Sequence, residues 1–301
     1  MMEIVKDPVS LASILNEVRS TNLEVGFVPT MGYLHQGHGS LIEAAKNDSD
    51  FCVVSIFVNP TQFSPTEDLE IYPRDIVSDT KYCESLGVDI LFLPEEEYLY
   101  GLDNTHTTTV SVQGLKSKLD GEFRPTHFDG VSTIVAKLLN IVGPSRCFLG
   151  MKDAQQVSII YRMVRELFMN NTIVPCPIIR EASHLAMSSR NSYLSKEDKE
   201  NAKAIYETLD IIGSEIENGN QEYSNLISNG KIKLQSSNLE VQYLKIIDFE
   251  TIDEVYELTT GQYVLVVAVK CGSKRLIDNF FIYVDDNDEI FIDRGKVCET
   301  I

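Results

Sequence analysis

Residues 25–46 read VGFVPTMGYLHQGHGSLIEAAK. The opening VGFV is apolar without alternation, which suits a strand buried on both faces of a parallel sheet rather than one with a solvent face. Pro29 and Gly32 break that run, and over 40–46 the apolar positions recur at helical spacing, so the stretch reads as strand, turn, helix. The same unit recurs along the chain. Apolar runs at 51–58 (FCVVSIFV), 90–93 (ILFL), 147–149 (CFL) and 173–179 (IVPCPII) accompany helix-like segments at 40–46, 75–86, 131–141 and 155–167. Strands alternating with helices predict an α/β fold, a doubly wound Rossmann-like parallel sheet.

The pattern changes after Arg190. Residues 196–217 form a charged amphipathic helix with Ser195 as its N-cap, and LEVQYLKIIDF, YVLVVAVKCG and KRLIDNFFIYV follow as strands. A smaller α+β C-terminal domain is expected, with the boundary near 180–190. The domains are then 1–184, 185–284, and an acidic C-terminal tail 285–301 that forms either an extra hairpin or a mobile end.

The 301 residues include 26 Lys or Arg against 45 Asp or Glu, a formal charge of −19. That balance argues against nucleic acid as a partner, because such binding needs Lys and Arg to neutralise phosphates. A small anion remains compatible, since a few cations can converge in one cleft. The six cysteines form no CxxC pair, so neither a zinc nor a redox motif follows. With no signal-like N-terminus and no 18-residue uncharged run, the expectation is a cytoplasmic protein without a membrane role.

The turn after the first strand places His35 and His38 three apart, with Gly32 and Gly37 before and between them. In an open parallel sheet, ligands bind at the C-terminal strand ends, where helix N-termini present N–H groups to anions. Glycines admit a phosphate close to the backbone, and two imidazoles can donate to charge developing on it. Asn59 and Gln62 end the second strand, and their amides can donate to a carboxylate and accept from a hydroxyl, which suits a polar but uncharged recognition task. Tyr72 and Arg74 follow within reach of the same edge. Lys152 stands at the start of a helix, unfavourable to the helix dipole unless an anion lies between, which points to phosphate. The loop 179–194 concentrates serines, Arg190 and Asn191 in a segment of the kind that closes over nucleotides.

Taken together, PTMGYLHQGHGSLI, SIFVNPTQF, YPR, LDGEFRPTHFDGV, GMKDAQQ, REASHLAMSSRNSYLS and RLIDN occur in an order that resembles the pantothenate synthetase (pantoate–β-alanine ligase) family. The resemblance spans about residues 20–283. It implies an ATP-dependent ligase that makes pantothenate, AMP and pyrophosphate in two half-reactions. Pantoate's carboxylate attacks the α-phosphate of ATP to give pantoyl adenylate, and the amine of β-alanine then displaces AMP. Such phosphoryl chemistry needs in-line positioning and charge neutralisation more than covalent help.

Carried over position by position, the resemblance places Met31, Gly32, Tyr33, Leu34, His35, Gln36, Gly37 and His38 along ATP. Gly150, Met151, Lys152, Asp153, Ile179, Met187, Ser188, Ser189 and Arg190 complete the ATP contacts. His38, the assigned proton donor, and His35, Lys152, Ser188 and Arg190 would act in catalysis. Gln62 and Gln156 would bind pantoate, and Gln62 also β-alanine. Magnesium on the phosphates and a homodimer are implied as well; no carboxylate cluster in the sequence identifies ligands for the metal.

Three departures from the family pattern stand out. Its Ala-Asp-Gly reads Ala182, Ser183, His184 here, so loop geometry or nucleotide affinity is expected to differ. Gly39 replaces a larger, usually apolar residue, at a helix cost of about 0.5–1 kcal/mol relative to Ala. The chain also continues beyond RLIDN for longer than the family needs. Two other classes share some of these features. A nucleotidyltransferase adding AMP or CMP to a phosphorylated acceptor would use the two-histidine motif, and an inactive ATP-binding scaffold would bind without turnover.

Overall fold

In a computed structural model of the chain, which describes residues 2–64, 69–101 and 108–298, the apolar runs become strands of one parallel sheet. Two units are distinguished, 1–150 with 156–176, and 151–155 with 177–301.

The first unit contains β1 (Glu3–Val5), α1 (Pro8–Ser20), β2 (Val25–Thr30), α2 (Gln36–Asp48), β3 (Phe51–Ile56), α3 (Ile76–Ser85), β4 (Ile90–Phe92), α4 (Glu96–Tyr100), α5 (Asp120–Phe123), α6 (His127–Val142), β5 (Ser145–Gly150), α7 (Ala154–Glu166) and β6 (Asn171–Cys176). The strand order is β1-β4-β3-β2-β5-β6, and every pairing is parallel. Phe27, Val28, Val53, Val54 and Leu91 are fully buried, which is why their strands carry no polar alternation. From β2 the chain builds outward through β3 and β4 on one side, while β5 and β6 lie on the other. The order therefore reverses between β2 and β5, and in such sheets the crevice beyond the C-terminal ends at that point takes the ligand.

The second unit begins with a 3₁₀ turn at Met151–Asp153 and continues from Pro177. It holds β7 (Ile179–Arg180), α8 (Lys196–Glu217), α9 (Tyr223–Ser236), β8 (Glu240–Asp248), β9 (Gly261–Cys271), β10 (Lys274–Val284), β11 (Ile290–Asp293) and β12 (Lys296–Val297). β8 to β11 form an antiparallel sheet in the order β11-β10-β9-β8, with Leu209, Leu234, Leu244, Leu265 and Phe280 in its core. Ser195 caps α8 by accepting from the Asp198 amide, as the sequence suggests.

Some details differ from the sequence reading. The run at 173–179 is not one strand: β6 ends at Cys176, and after Pro177 the chain enters β7 in a different sheet. Pro175 and Pro177 carry no N–H for a continuous ladder. The helix read at 40–46 starts at Gln36, so His35 is its N-cap. α1 and α9 were not anticipated. In α1 only Leu11 and Leu15 are buried, leaving a weak apolar stripe, although Asp7 capping the Ser10 amide and Pro8 in the first turn are legible start signals. Of the segment 285–301, 290–293 pair with β10 and 296–297 with β7, while 299–301 fall outside the described residues.

No cysteine of the described residues is in a disulfide, and five of the six are buried. Burial pushes the Cys52 and Cys83 thiols up to about 12 and Cys271 to about 11. At those values they remain protonated packing groups rather than nucleophiles.

Candidate active site

The turn after β2 sits at the point where the strand order reverses. Thr30 anchors its start by donating to the Ser55 carbonyl (2.8 Å) and accepting from the Gly32 amide (3.2 Å). Gly32 and Tyr33 both have positive φ, +84° and +52°, and this tight reversal turns successive amides to one side. The buried carboxylate of Asp79 on α3 accepts from two of them, Tyr33 (2.8 Å) and Leu34 (2.7 Å). Burial pushes the Asp79 carboxyl up, against the pull of the two N–H groups.

The turn delivers His35 to the N-cap of α2. Its Nδ1 accepts from the Gly37 amide (3.1 Å), and His38 Nδ1 accepts from the His35 amide (3.3 Å), a histidine version of the capping box. Both rings thus use Nδ1 as an acceptor. In neutral imidazole the proton then resides on Nε2 of each ring. The ring centroids are 4.1 Å apart, which sets two donors side by side at a helix N-terminus, with Gln36 and Gly37 as its first residues.

Gln62 lies in a 3₁₀ turn after β3, and its amide orientation is fixed by neighbours. Asn59 Nδ2 donates to the Gly130 carbonyl (3.2 Å) and to Gln62 Oε1 (3.1 Å), while Asn59 Oδ1 accepts from Tyr100 (2.5 Å) and Thr61 (3.0 Å). A carbonyl can only accept, so the Asn59 amide cannot be reversed. Gln62 Nε2 consequently donates toward Met31 Sδ at 2.8 Å, and as an N–H it suits an acceptor such as a carboxylate. Burial pushes the Tyr100 hydroxyl up and keeps it a donor. His127 Nδ1 lies 2.8 Å from the Gln62 carbonyl and its Nε2 lies 3.0 Å from the Arg124 guanidinium. Guanidinium can only donate, so His127 carries its proton on Nδ1 and gives it to Gln62. Arg74 bonds the Tyr72 and Leu69 carbonyls at 3.3 Å, and Tyr72 is buried against Phe63. Gln156 is half-buried on the first turn of α7, six residues after the end of β5 at Gly150.

Gly150 closes β5 in the first unit, and the remaining candidate residues belong to the second. Lys152 and Asp153 sit in the 3₁₀ turn 151–153, with Lys152 Nζ 3.5 Å from Asp153 Oδ1, so the neighbouring carboxylate partly offsets the cation at the helix start. Asn279 of the RLIDN stretch holds this turn, its Nδ2 donating to the Met151 (3.0 Å) and Lys152 (2.9 Å) carbonyls. Asp278 takes the fully buried Arg180 in a two-pronged pair of 2.7 and 3.0 Å. Arg180 thereby becomes a structural cation rather than a nucleotide ligand.

β7 pairs back on the chain through Met187, whose amide donates to the Ile179 carbonyl (2.9 Å). Beyond it Ser188 caps a 3₁₀ helix over Ser189–Tyr193, accepting from the Arg190 amide (3.3 Å). Asn191 closes the loop on Glu181 (2.7 Å) and the Ala186 carbonyl (3.0 Å).

Two of the sequence departures acquire a physical account. His184, where the family has Gly, carries φ +66°, a conformation histidine tolerates better than most residues. Its ring packs on Tyr206 with centroids 4.6 Å apart, and its carbonyl accepts from Arg180 (3.1 Å). Gly39 is buried against α3, where the Tyr82 hydroxyl occupies the space a Cβ would need. Asp79, Tyr100 and His127 received no role from the sequence, because their bonds to Tyr33 and Leu34, to Asn59 and to the Gln62 carbonyl span 41–65 residues. Asn279 lay inside a recognised motif, yet its partners are 127 and 128 residues distant.

The chain matches the family described as Pantoate-beta-alanine ligase over residues 3–281. Pantothenate synthetase of Coprothermobacter proteolyticus is 44% identical over 289 residues, covering 94% of this chain and all of that protein. The Ruminiclostridium cellulolyticum pantothenate synthetase is 46% identical over 274 residues, covering 91% and 96%. Among solved structures, pantothenate synthetase from Thermus thermophilus has a TM-score of 0.86 at 38% identity, covering 92% of this chain and 98% of that one. The Francisella tularensis pantoate-beta-alanine ligase, solved with beta-gamma ATP and beta-alanine, has a TM-score of 0.77 at 37% identity, covering 93% and 97%. The turn at the sheet's reversal point and the family match agree, and the chain belongs to the pantoate-β-alanine ligase family, whose enzymes form a C–N bond.

Proposed function

We propose that this protein condenses pantoate with β-alanine in an ATP-driven reaction, through a pantoyl adenylate, releasing pyrophosphate and then AMP. The observation that carries the reading is the histidine turn at the N-terminus of α2, where the Gly37 and His35 amides donate to Nδ1 of His35 and of His38. In the first step a pantoate carboxylate oxygen bonds to the α-phosphorus as the bond to the pyrophosphate oxygen breaks. Charge grows on the leaving oxygens, and prealigned donors stabilise it without reorganising. His38 donates to that charge and His35 assists, while Lys152 neutralises phosphate charge. In the second step the amine of β-alanine bonds to the acyl carbon, and AMP leaves with the electron pair of the acyl–phosphate bond.

Met31, Gly32, Tyr33, Leu34, Gln36 and Gly37 lie along ATP in this proposal, as do Gly150, Met151 and Asp153. Ile179 packs near the adenine, and Met187, Ser188, Ser189 and Arg190 bind the nucleotide, Ser188 and Arg190 near the reacting phosphate. Gln62 presents its N–H to pantoate and later to β-alanine, and Gln156 binds pantoate.

Magnesium would travel on the triphosphate. Among the described residues no group of three or more His, Cys, Asp or Glu side chains is placed to hold a metal, so a protein-built cage does not fit, and no step is routed through the ion. A homodimer and a cytoplasmic location complete the proposal. Sedimentation and cell fractionation test these two; among the described residues no helix is long and apolar enough to cross a membrane.

The reaction is tested by pantoate-dependent exchange of labelled pyrophosphate into ATP, followed by product analysis once β-alanine is added. AMP and pantothenate are expected. ADP would overturn the mechanism, and a nucleotide-containing end product without an amine requirement would indicate nucleotidyl transfer instead.

A further inference from the structure

The family match ends at residue 281, yet the chain beyond it returns to the segment that carries Ile179. After β11 the backbone turns at Arg294 and Gly295 and runs as β12 parallel to β7. The Lys296 amide donates to the Ile178 carbonyl (2.7 Å) and the Cys298 amide to the Arg180 carbonyl (2.9 Å). The opposite edge of β7 is already taken, since the Met187 amide donates to Ile179 and the Glu181 amide to Leu185, both at 2.9 Å. β7 is therefore held along both edges, on one side by its own loop and on the other by residues outside the family match.

The approach is close and specific. Gly295 has φ +78°, and a Cβ there would lie 2.5 Å from the Ile178 carbonyl oxygen, so no other residue fits without a shift. Arg294 anchors the turn on α8 through Asp210 (2.8 Å) and both oxygens of Glu217 (2.9 and 2.6 Å). Its own carbonyl accepts from Arg180 Nε (2.5 Å), the side chain whose backbone belongs to β7.

We propose that residues 294–298 are a positioning strap for the nucleotide segment, setting the place of Ile179 and, through the 179–187 pairing, that of Met187–Arg190 for ATP. The strap contributes no group to the reacting atoms. It supplies the second edge that holds β7 in register. The proposal rests on the assignment of Ile179 and Met187–Arg190 to ATP, which Arg190→Ala tests separately.

The experiment compares Michaelis constants for ATP, pantoate and β-alanine in the full chain carrying Lys296→Pro, which deletes the amide bonded to Ile178, and in a chain ending at Gly295, which keeps β11 and Arg294. Loss of one or two backbone hydrogen bonds is expected to raise KM for ATP about two- to threefold in the point variant and about fivefold in the truncation. KM for pantoate and β-alanine and kcat at saturating ATP should stay within about twofold. An equal rise in all three KM values, or a lowered Tm with no change in KM for ATP, overturns the strap. If Arg190→Ala raises KM for ATP while both strap variants leave it unchanged, the strap fails and the nucleotide assignment stands. An unchanged KM for ATP in Arg190→Ala would instead remove the assignment on which the strap depends.

Discussion

The two units hold their candidate turns by opposite chemistry. In the first, the turn after β2 presents amide N–H groups, and an acceptor grips them, the Asp79 carboxylate. In the second, the turn 151–153 presents carbonyl oxygens, and a donor grips them, the Asn279 amide. The holder follows from which backbone ends the turn leaves unpaired, and it decides what perturbs the turn. A carboxylate titrates and an amide does not. Buried charge is distributed in the reverse sense, because the second unit contains the Arg180–Asp278 pair, both partners within 1% of full burial.

That pair gives the largest expected effect. Asp278→Ala leaves a buried guanidinium without its carboxylate, and removing one partner of such a pair costs about 3–5 kcal/mol. Denaturant unfolding of the variant should register that loss, and a change below about 1 kcal/mol would mean that backbone carbonyls and the rings of Tyr206 and Phe280 suffice for Arg180. His38→Ala comes next and acts on rate instead of stability. Loss of a donor aimed at developing charge costs about 2.7–4 kcal/mol of transition-state stabilisation, roughly 10²–10³ in kcat. Single-turnover adenylation reads this directly, and an unchanged rate would remove His38 from the chemistry.

How much of this was legible in the sequence differs between the units for the same physical reason. The parallel sheet announced itself because a strand buried on both faces must be apolar throughout, as at Phe27, Val28, Val53 and Val54. The histidine turn was legible because glycines and a helix start are local signals. What escaped was the identity of the holders. Asp79 looks like any acidic residue on an exposed helix until the fold brings the Tyr33 and Leu34 amides to it. Asn279 sat in a recognisable RLIDN stretch, but the meaning of its amide depends on carbonyls that the chain reached 127 residues earlier. β12 was illegible because two exposed residues, Lys296 and Val297, carry no apolar period.

Asp79 sharpens the comparison through pH. Burial places its folded value above the ordinary 3.8, so the folded chain takes up this proton more readily than the unfolded one. Its contribution to stability is then present below 3.8 and lost as pH rises through the folded value. The geometry of the turn runs the other way. Protonation converts one oxygen from acceptor to O–H, facing an amide that also donates, so one of the two bonds to Tyr33 and Leu34 is lost. Activity should decline toward acid through a value above 3.8 without a matching fall in Tm from this group. Asp79→Asn, which always lacks one of the two acceptors, should lower kcat/KM at neutral pH and abolish that acid limb. A pH–rate profile of kcat/KM with the limb intact in the variant would assign it to another group.

The smallest effect concerns Gly39, where two helices of the first unit have adjusted to each other. On helix propensity alone Gly39→Ala should stabilise α2 by about 1 kcal/mol. Packing gives the opposite sign, because the Tyr82 hydroxyl occupies the position of the new methyl group and the next ring carbon lies only 3.1 Å from it. Overpacking of this kind costs about 1–3 kcal/mol, so the net change should be a destabilisation of about 1 kcal/mol. Tyr82→Phe removes the offending oxygen and leaves the ring. Combined with Gly39→Ala it should restore stability to within about 0.5 kcal/mol of the parent, giving a coupling energy that neither single change predicts. Additive single and double variants in thermal unfolding would show that α2 and α3 shift freely past one another at this contact, and that Gly39 is not needed to accommodate Tyr82.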